Sequence, residues 1–152
     1  MLKKYLIILF FIALSCKLAY SSELLSKEAL THYNEGVRAQ MRGDFDTAKV
    51  SYQKSVLLGA KYKKFALNNF GIICANRQES DKAEAAFKEA LEIDPAYQVA
   101  AFNLSLLYLK LSISYKDKGD TKRALDYLEL ALSYYPEKSF IMEKEKEETE
   151  GQ

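Results

Sequence analysis

The amino-acid sequence predicts an all-α protein built from pairs of antiparallel helices. Two prolines and six glycines in a chain of 152 residues leave room for long helices. Small residues also recur at a fixed distance: Gly36 and Gly71 are 35 residues apart, and so are Ala48 and Ala83. Because a period of roughly 20–50 residues is the signature of stacked supersecondary units, the sequence predicts a repeat protein.

Length and charge limit the classes of function. The length fits one domain. Lys and Arg total 22 and Asp and Glu total 21, and the basic residues are scattered along the sequence. Since nucleic-acid-binding proteins concentrate Lys and Arg on one surface, we expect no nucleic-acid partner.

The first 21 residues predict an export signal. Two lysines precede an apolar run over residues 5–14, which is too short to span a bilayer but fits the core of a signal peptide. Small residues place cleavage after Ser21, so residues 1–21 would be removed. An alternative is a lipoprotein signal over residues 1–15, with Cys16 lipidated; an uncleaved anchor is a third option. The expected localisation is export to the bacterial periplasm or envelope, with a lipid-anchored membrane protein as the alternative.

Three segments align as repeats, at about residues 29–62, 64–97 and 98–136. The most regular stretch is residues 81–95, DKAEAAFKEALEIDP. Its alternation of small, large and proline positions resembles the tetratricopeptide repeat. The resemblance implies a right-handed superhelical solenoid of about three helix-turn-helix repeats over residues 22–136, with a short capping helix and a charged tail over residues 137–152.

The recurring residues have a packing role in this scheme. Small residues are expected where the two helices of a repeat cross, and a large residue is expected to fill the adjacent space: Tyr52, Phe87 and Leu128 in the three repeats. The predicted helices cover residues 26–41, 45–58, 62–77, 81–93, 96–117 and 121–134.

The turns between paired helices carry their own signals. Gly43 and Gly119 suit a left-handed residue after a helix end. Gln78 stands at the equivalent position of the second repeat, so that turn is expected to form through Asn76 or Ser80. Ser80 is also expected to cap its helix.

The third repeat is longer than the others. Pro95 and Pro136, which are predicted to begin the following helices, are 41 residues apart. The extra seven residues, near 109–115, would lengthen the first helix by about 10 Å without changing its face. Either the neighbouring helix and the tail cover its apolar side, or that side is a surface for a partner or for self-association.

The resemblance also implies a concave groove for a protein or peptide partner. An asparagine in each repeat could hydrogen-bond an extended peptide backbone, or could support helix packing alone. The basic residues of a carboxylate clamp are missing. The predicted groove comprises Asn34, Asn69, Asn103, Tyr33, Val37, Phe65, Asn68, Ile72, Phe102 and Leu106.

Catalysis is not predicted, because no nucleophile and base, paired carboxylates or phosphate-binding loop can be recognised. His32 is the single histidine and Cys74 the single cysteine beyond residue 21, so neither a metal site nor a cofactor is expected. The predicted function is an exported scaffold or adaptor, which binds its partner in the groove during envelope assembly or in a secretion-linked complex. The alternative is a structural subunit of a larger complex, or a self-associating protein, that uses the long helix of the third repeat.

Overall fold

A computed structural model of the chain describes residues 2–135, with residues 2–10, 12, 13, 16 and 60 described by their backbone alone. The prediction of an all-α fold is confirmed for this part of the chain, which contains helices and no strand. The predicted cap and tail over residues 137–152 lie outside the described residues. The helices are α1 (Leu2–Met41), α2 (Phe45–Leu58), α3 (Ala60–Asn76), α4 (Ser80–Ile93), α5 (Gln98–Asp117) and α6 (Thr121–Ser133).

The largest difference from the predicted helices is at the start of the chain. Helix α1 runs without a break from Leu2 to Met41, whereas the sequence predicted a first helix over residues 26–41. The segment predicted to be an export signal therefore continues directly into the helix of the first repeat. Within residues 2–135, no helix combines the length and the hydrophobicity that are needed to cross a bilayer.

The chain divides into two compact units, residues 1–63 and 64–152. In the first unit, α1 and α2 pack as an antiparallel pair. A Cβ added at Gly36 would lie 2.6 Å from the ring of Tyr52, so the ring occupies the space that a side chain on α1 would take. Further along the pair, the Ser55 hydroxyl donates a 2.9 Å hydrogen bond to the carbonyl of Ala29.

The second unit contains the rest of α3 together with α4, α5 and α6. Gly71 repeats the arrangement of Gly36: a Cβ there would lie 2.6 Å from the ring of Phe87. Phe87 is 1% exposed and belongs to the core of this unit. The buried residues of that core are Cys74, Ala83, Phe87, Leu104, Leu107, Tyr108 and Ala131.

Helices α5 and α6 pair through serines instead of a glycine and a ring. Ser105 donates to the carbonyl of Ala131 and Ser112 donates to the carbonyl of Ala124, both at 2.7 Å. The prediction that Leu128 fills the helix crossing is wrong, since Leu128 is 37% exposed. Phe87, at the equivalent position of α4, is buried in part by Leu104, Leu107 and Tyr108 of the following repeat, whereas α6 is the last helix that the structure describes.

The extra seven residues of the third repeat do not lengthen its first helix by two turns. Helix α5 has 20 residues against 17 for α3, a difference of about 4.5 Å. Ser105 of α5 is equivalent to Gly71 of α3. Compared with α3, α5 has seven more residues after this position but fewer residues before it. The predicted lengthening of about 10 Å is therefore too large.

The turns between paired helices use one conformation. Gly43 and Gly119 have φ of 78° and 79°, as predicted, and Gln78 itself takes φ of 62°. The prediction that Asn76 or Ser80 would make the second turn is wrong. Ser80 is also not the cap: α4 begins at Ser80, and Glu79 holds the cap position without a side-chain cap hydrogen bond.

The other two turns end in a side-chain cap. Asp44 accepts a hydrogen bond from the amide of Thr47, and Asp120 accepts one from the amide of Arg123. Hydrogen bonding to the side chain and the amide of Thr47 lowers the pKa of Asp44, and hydrogen bonding to the amide and the side chain of Arg123 lowers the pKa of Asp120. An aspartate is an effective helix cap because its oxygen satisfies an amide that has no partner within the helix.

Pro95 does not begin α5. The amide of Tyr97 bonds the carbonyl of Asp94 at 3.0 Å, and the Asp94 carboxylate accepts from the amide of Ala96 at 3.1 Å. Asp followed by Pro is a typical start for such a turn, because proline has the required φ. Helix α5 therefore starts at Gln98, two residues later than predicted.

Candidate functional site

A pocket of about 120 Å³ lies between α3 and α5 in the second unit. On the α3 side, the pocket is lined by Ile72, Ala75 and Asn76. On the α5 side, it is lined by Asn103, Leu106, Leu107 and Lys110. Its floor reaches Phe87, the ring that packs against Gly71. The lining residues are Ile72, Ala75, Asn76, Phe87, Asn103, Leu106, Leu107 and Lys110.

The α5 side of the pocket combines amide, apolar and cationic groups. Leu106 and Lys110 follow Asn103 by three and seven positions, so the three residues lie on one face of the helix. Leu106 is 40% exposed and Lys110 is also exposed. An apolar side chain from a partner can contact Ile72 and Leu106 there, while its polar groups meet the amide and the ammonium group.

Hydrogen bonds between asparagine side chains link α3 to α5 beside this pocket. The side-chain amide of Asn103 donates to the side-chain oxygen of Asn68 at 2.9 Å. Asn68, which is 3% exposed, donates in turn to Asn69 at 3.3 Å. Asn68 therefore has its hydrogen bonds inside the unit, whereas Asn103 both takes part in this packing and lines the pocket.

Two predicted groove residues of the second unit are engaged elsewhere. Phe65 meets Tyr97 edge to face, with ring centroids 5.5 Å apart, and the ammonium group of Lys64 lies 4.9 Å from the Phe65 ring. Lys64 also forms an ion pair with Asp94, which lowers the pKa of that carboxyl group. Phe102 lies against Tyr135, with centroids 6.3 Å apart.

The predicted groove residues of the first unit lie on α1. Tyr33 stacks on Tyr62 at a centroid distance of 6.1 Å and also contacts Tyr52 at 5.9 Å. Asn34 is exposed and Val37 is half-buried. These residues form a mixed aromatic and polar face of their own unit.

Tyr108 and His32 are titratable residues that form hydrogen bonds within the described part of the chain. Burial and a hydrogen bond to Glu84 raise the pKa of Tyr108 to about 12, so its phenol stays neutral. His32 is half-buried and lies 2.9 Å from Glu35. Within the described part of the chain, no group of three or more His, Cys, Asp and Glu side chains could hold a metal ion.

Sequence reasoning found Ile72, Asn103 and Leu106, but it missed Asn76 and Lys110. Lys110 had a usable signal: it follows Leu106 by one helical turn, on the face that carries Asn103. Asn76 had the same signal, since it follows Ile72 by one helical turn, but it was expected to take part in the turn instead.

Two stretches of the chain match a known type of repeat. Residues 66–97 and 101–138 match the family model of the tetratricopeptide repeat. The pair of α1 and α2 precedes these matched residues and shows the same contact, with Gly36 against Tyr52 as Gly71 is against Phe87. The chain thus carries repeats of a class that serves as a scaffold for protein interaction.

The chain is similar to photosystem I assembly proteins of cyanobacteria. It is 32% identical over 95 residues to Ycf3 of Prochlorococcus marinus, which covers 61% of this chain and 55% of the relative. For Ycf3 of Synechococcus sp. (strain WH7803), identity is 29% over 96 residues, covering 62% and 56%. For Ycf3 of Rippkaea orientalis, identity is 24% over 112 residues, covering 72% and 65%. The similarity therefore spans roughly half to two-thirds of these relatives.

These relatives correct the predicted localisation. The sequence predicted export to the bacterial periplasm or envelope, but the similar proteins are named for the assembly of photosystem I. The periplasmic or envelope localisation is therefore wrong. It rested on residues 1–21, whose apolar run predicted an export signal; in the structure, residues 2–21 belong to α1. Cleavage after Ser21 and lipidation of Cys16, whose side chain lies outside the described residues, are not supported by either finding.

Proposed function

We propose that this protein is a non-catalytic tetratricopeptide-repeat adaptor that binds a segment of a protein partner during the assembly of a multisubunit complex. The observation that carries this proposal is the pocket between α3 and α5, which joins Ile72 and Leu106 to the polar groups of Asn103 and Lys110. The names of the similar proteins support the assembly role, because they are assembly proteins.

The chemistry of the pocket favours a peptide with an apolar side chain. A pocket of about 120 Å³ has room for one side chain of moderate size. Such sites gain affinity from apolar burial and orientation from a few polar groups. The Asn103 amide can hydrogen-bond a backbone group of the peptide. Lys110 favours an acidic side chain or a carbonyl group next to the apolar side chain.

The asparagine row has a smaller part in this proposal than the sequence suggested. Asn68 is committed to Asn103, so it supports the walls of the site. Asn69 lies beside this pair and Asn34 lies on α1 of the other unit. The proposed contacts in the second unit are therefore Ile72, Asn76, Asn103, Leu106 and Lys110, and the α1 face with Tyr33, Asn34 and Val37 is a further candidate contact.

The test compares two substitutions of similar exposure. Leu106 lines the pocket and is 40% exposed, whereas Ile93 is 43% exposed at the end of α4 and does not line it. The amount of partner that cross-links to the full chain in its native cells is the quantity measured. We expect Leu106→Glu to reduce this amount by about tenfold or more and Ile93→Glu to leave it unchanged. A photo-reactive residue at position 110 should cross-link the same partner.

One control and two possible outcomes complete the experiment. Helical circular dichroism must show that both variants are folded. Equal recovery of the partner with both variants would move the binding site away from the pocket. A partner that is lost with Leu106→Glu but never cross-links to position 110 would also contradict the proposed site.

A further inference from the structure

Two rows of exposed apolar side chains run along α5 and α6. Phe102, Leu109 and Ile113 are 41%, 40% and 51% exposed on α5. Leu125, Leu128 and Leu132 are 61%, 37% and 54% exposed on α6. Residues at spacings of three, four and seven share one side of a helix, so each set forms a continuous row.

The two rows adjoin. Ser105 and Ser112 join the helices through hydrogen bonds to the carbonyls of Ala131 and Ala124. At one end, the ring of Phe102 lies 6.3 Å from the ring of Tyr135, which is 40% exposed. We call this surface the end face; it consists of Phe102, Leu109, Ile113, Leu125, Leu128, Leu132 and Tyr135.

The equivalent positions of α4 show what kind of element fits the end face. Leu128 and Leu132 follow Ala124 by four and eight positions, as Phe87 and Leu91 follow Ala83. Phe87 and Leu91 pack in a core with Leu104, Leu107 and Tyr108 of α5, the first helix of the next repeat. The end face is therefore the surface that another helix pair would cover.

The residues that follow α6 in the sequence offer little apolar surface for this purpose. The large apolar residues among residues 136–152 are Phe140, Ile141 and Met142. Residues 143–148, EKEKEE, are all charged. Three large apolar residues are fewer than the seven of the end face.

We propose that the end face binds the end face of a second copy of this chain, forming a symmetric dimer. A two-fold axis between the rows places α5 of one copy against α6 of the other, so each apolar row meets an apolar row. The proposal is independent of the pocket between α3 and α5, because it uses other residues of α5.

The area is sufficient for such an interface. Seven large side chains exposed to 37–61% present an apolar surface on the order of 700 Å² per copy, and two copies together reach the lower part of the roughly 1,200–2,000 Å² that stable interfaces bury. Such a patch also exceeds the few hundred Å² of contiguous apolar surface that monomers usually expose.

The test measures the mass of the full chain in solution by analytical ultracentrifugation across a concentration series. We expect the wild type to be a dimer at micromolar concentration. Ile113→Lys and Leu132→Lys should each weaken dimerisation by about 30-fold or more, because each places a charge within an apolar interface. High salt should not dissociate the wild-type dimer, since apolar burial is only weakly sensitive to ionic screening.

Leu130→Lys is the matched control. Leu130 is 40% exposed on the same helix as Leu132 but is offset by two positions, and so faces another side. This variant should remain dimeric. A monomeric wild type, or a dimer that persists in both Ile113→Lys and Leu132→Lys while circular dichroism shows that they are folded, would overturn the proposal. Dissociation by Ile141→Lys would also overturn it, because it would place residues after α6 in the dimer contact instead of the end face alone.

Discussion

The helix pair of α1 and α2 and the helix pair of α5 and α6 have the same turn but different contacts. Each turn has a glycine in the left-handed conformation followed by an aspartate cap, Gly43 with Asp44 and Gly119 with Asp120. The first pair has a ring that fills the space beside a glycine and one serine hydrogen bond, whereas the last pair has two serine hydrogen bonds and no such ring beside Ser105.

This difference shows that the turn does not determine how the helices pack. A small residue on the first helix is required in both pairs, because it allows the backbones to approach. In the first pair, a large residue of the second helix, Tyr52, fills the space beside the glycine. In the last pair the equivalent residue, Leu128, is partly exposed and belongs to the apolar row on α6.

The largest effect is expected at Phe87, where a ring fills the space beside a glycine. Phe87→Ala should lower the free energy of unfolding by about 3–5 kcal/mol, because it leaves a cavity against Gly71. Leu128→Ala, at the equivalent position of α6, should lower it by about 1 kcal/mol or less, since the side chain is partly solvated. Urea denaturation of dilute protein, where the chain is monomeric, measures both. Equal losses would mean that Leu128 fills its helix crossing as Phe87 does.

A smaller effect is expected from changing the small residues themselves. Gly36→Ala should lower the free energy of unfolding by about 1–3 kcal/mol, because its Cβ would lie 2.6 Å from the Tyr52 ring. Ser112→Ala keeps a small side chain and loses one hydrogen bond, so it should cost about 1 kcal/mol.

Thermal unfolding followed by circular dichroism compares these two variants. The double variant Gly36→Ala/Tyr52→Leu should recover part of the loss from Gly36→Ala, since the smaller side chain makes room for the new methyl group. If the double variant is less stable than the sum of its single changes, steric overlap with the ring is not the cause.

The smallest effect is expected at the turn between α3 and α4. Gln78 has φ of 62°, a conformation that glycine adopts without steric cost. Gln78→Gly should therefore raise the free energy of unfolding by about 0.5–1 kcal/mol, which is seen as a higher urea concentration at the denaturation midpoint. Gly119→Gln is the reciprocal control and should lower stability by a similar amount. A neutral result in both variants would show that these turns tolerate any residue.

Much of the helix pattern could be predicted from the sequence because it depends on local signals. The bounds predicted for α2, residues 45–58, agree with the structure, since Gly43 and Asp44 mark its start. The start of α5 was predicted two residues early, because proline fits both a helix start and the turn that Asp94 and Pro95 form. Gln78 was misjudged because its left-handed conformation is imposed by the pairing of α3 with α4.

The candidate site was harder to predict than the helices. Ile72, Asn103 and Leu106 were found because the repeat period assigns them to one face. Lys110 and Asn76 were missed although each follows a predicted groove residue, Leu106 or Ile72, by one helical turn. Helical spacing places each residue on a face, but only the packing of α3 against α5 shows that the two faces line one pocket.

The hydrogen bond between Asn68 and Asn103 has a consequence for joining repeats. The two amides belong to successive repeats, and Asn68 is almost fully buried. Sliding one repeat along the other by a single residue would leave the Asn68 amide without its partner, which is costly in a buried position. The pair therefore fixes the register between the two repeats. If one of these repeats were fused to a repeat of another protein, the same register would form only if the new repeat carried an asparagine side chain at the position of Asn68 or Asn103.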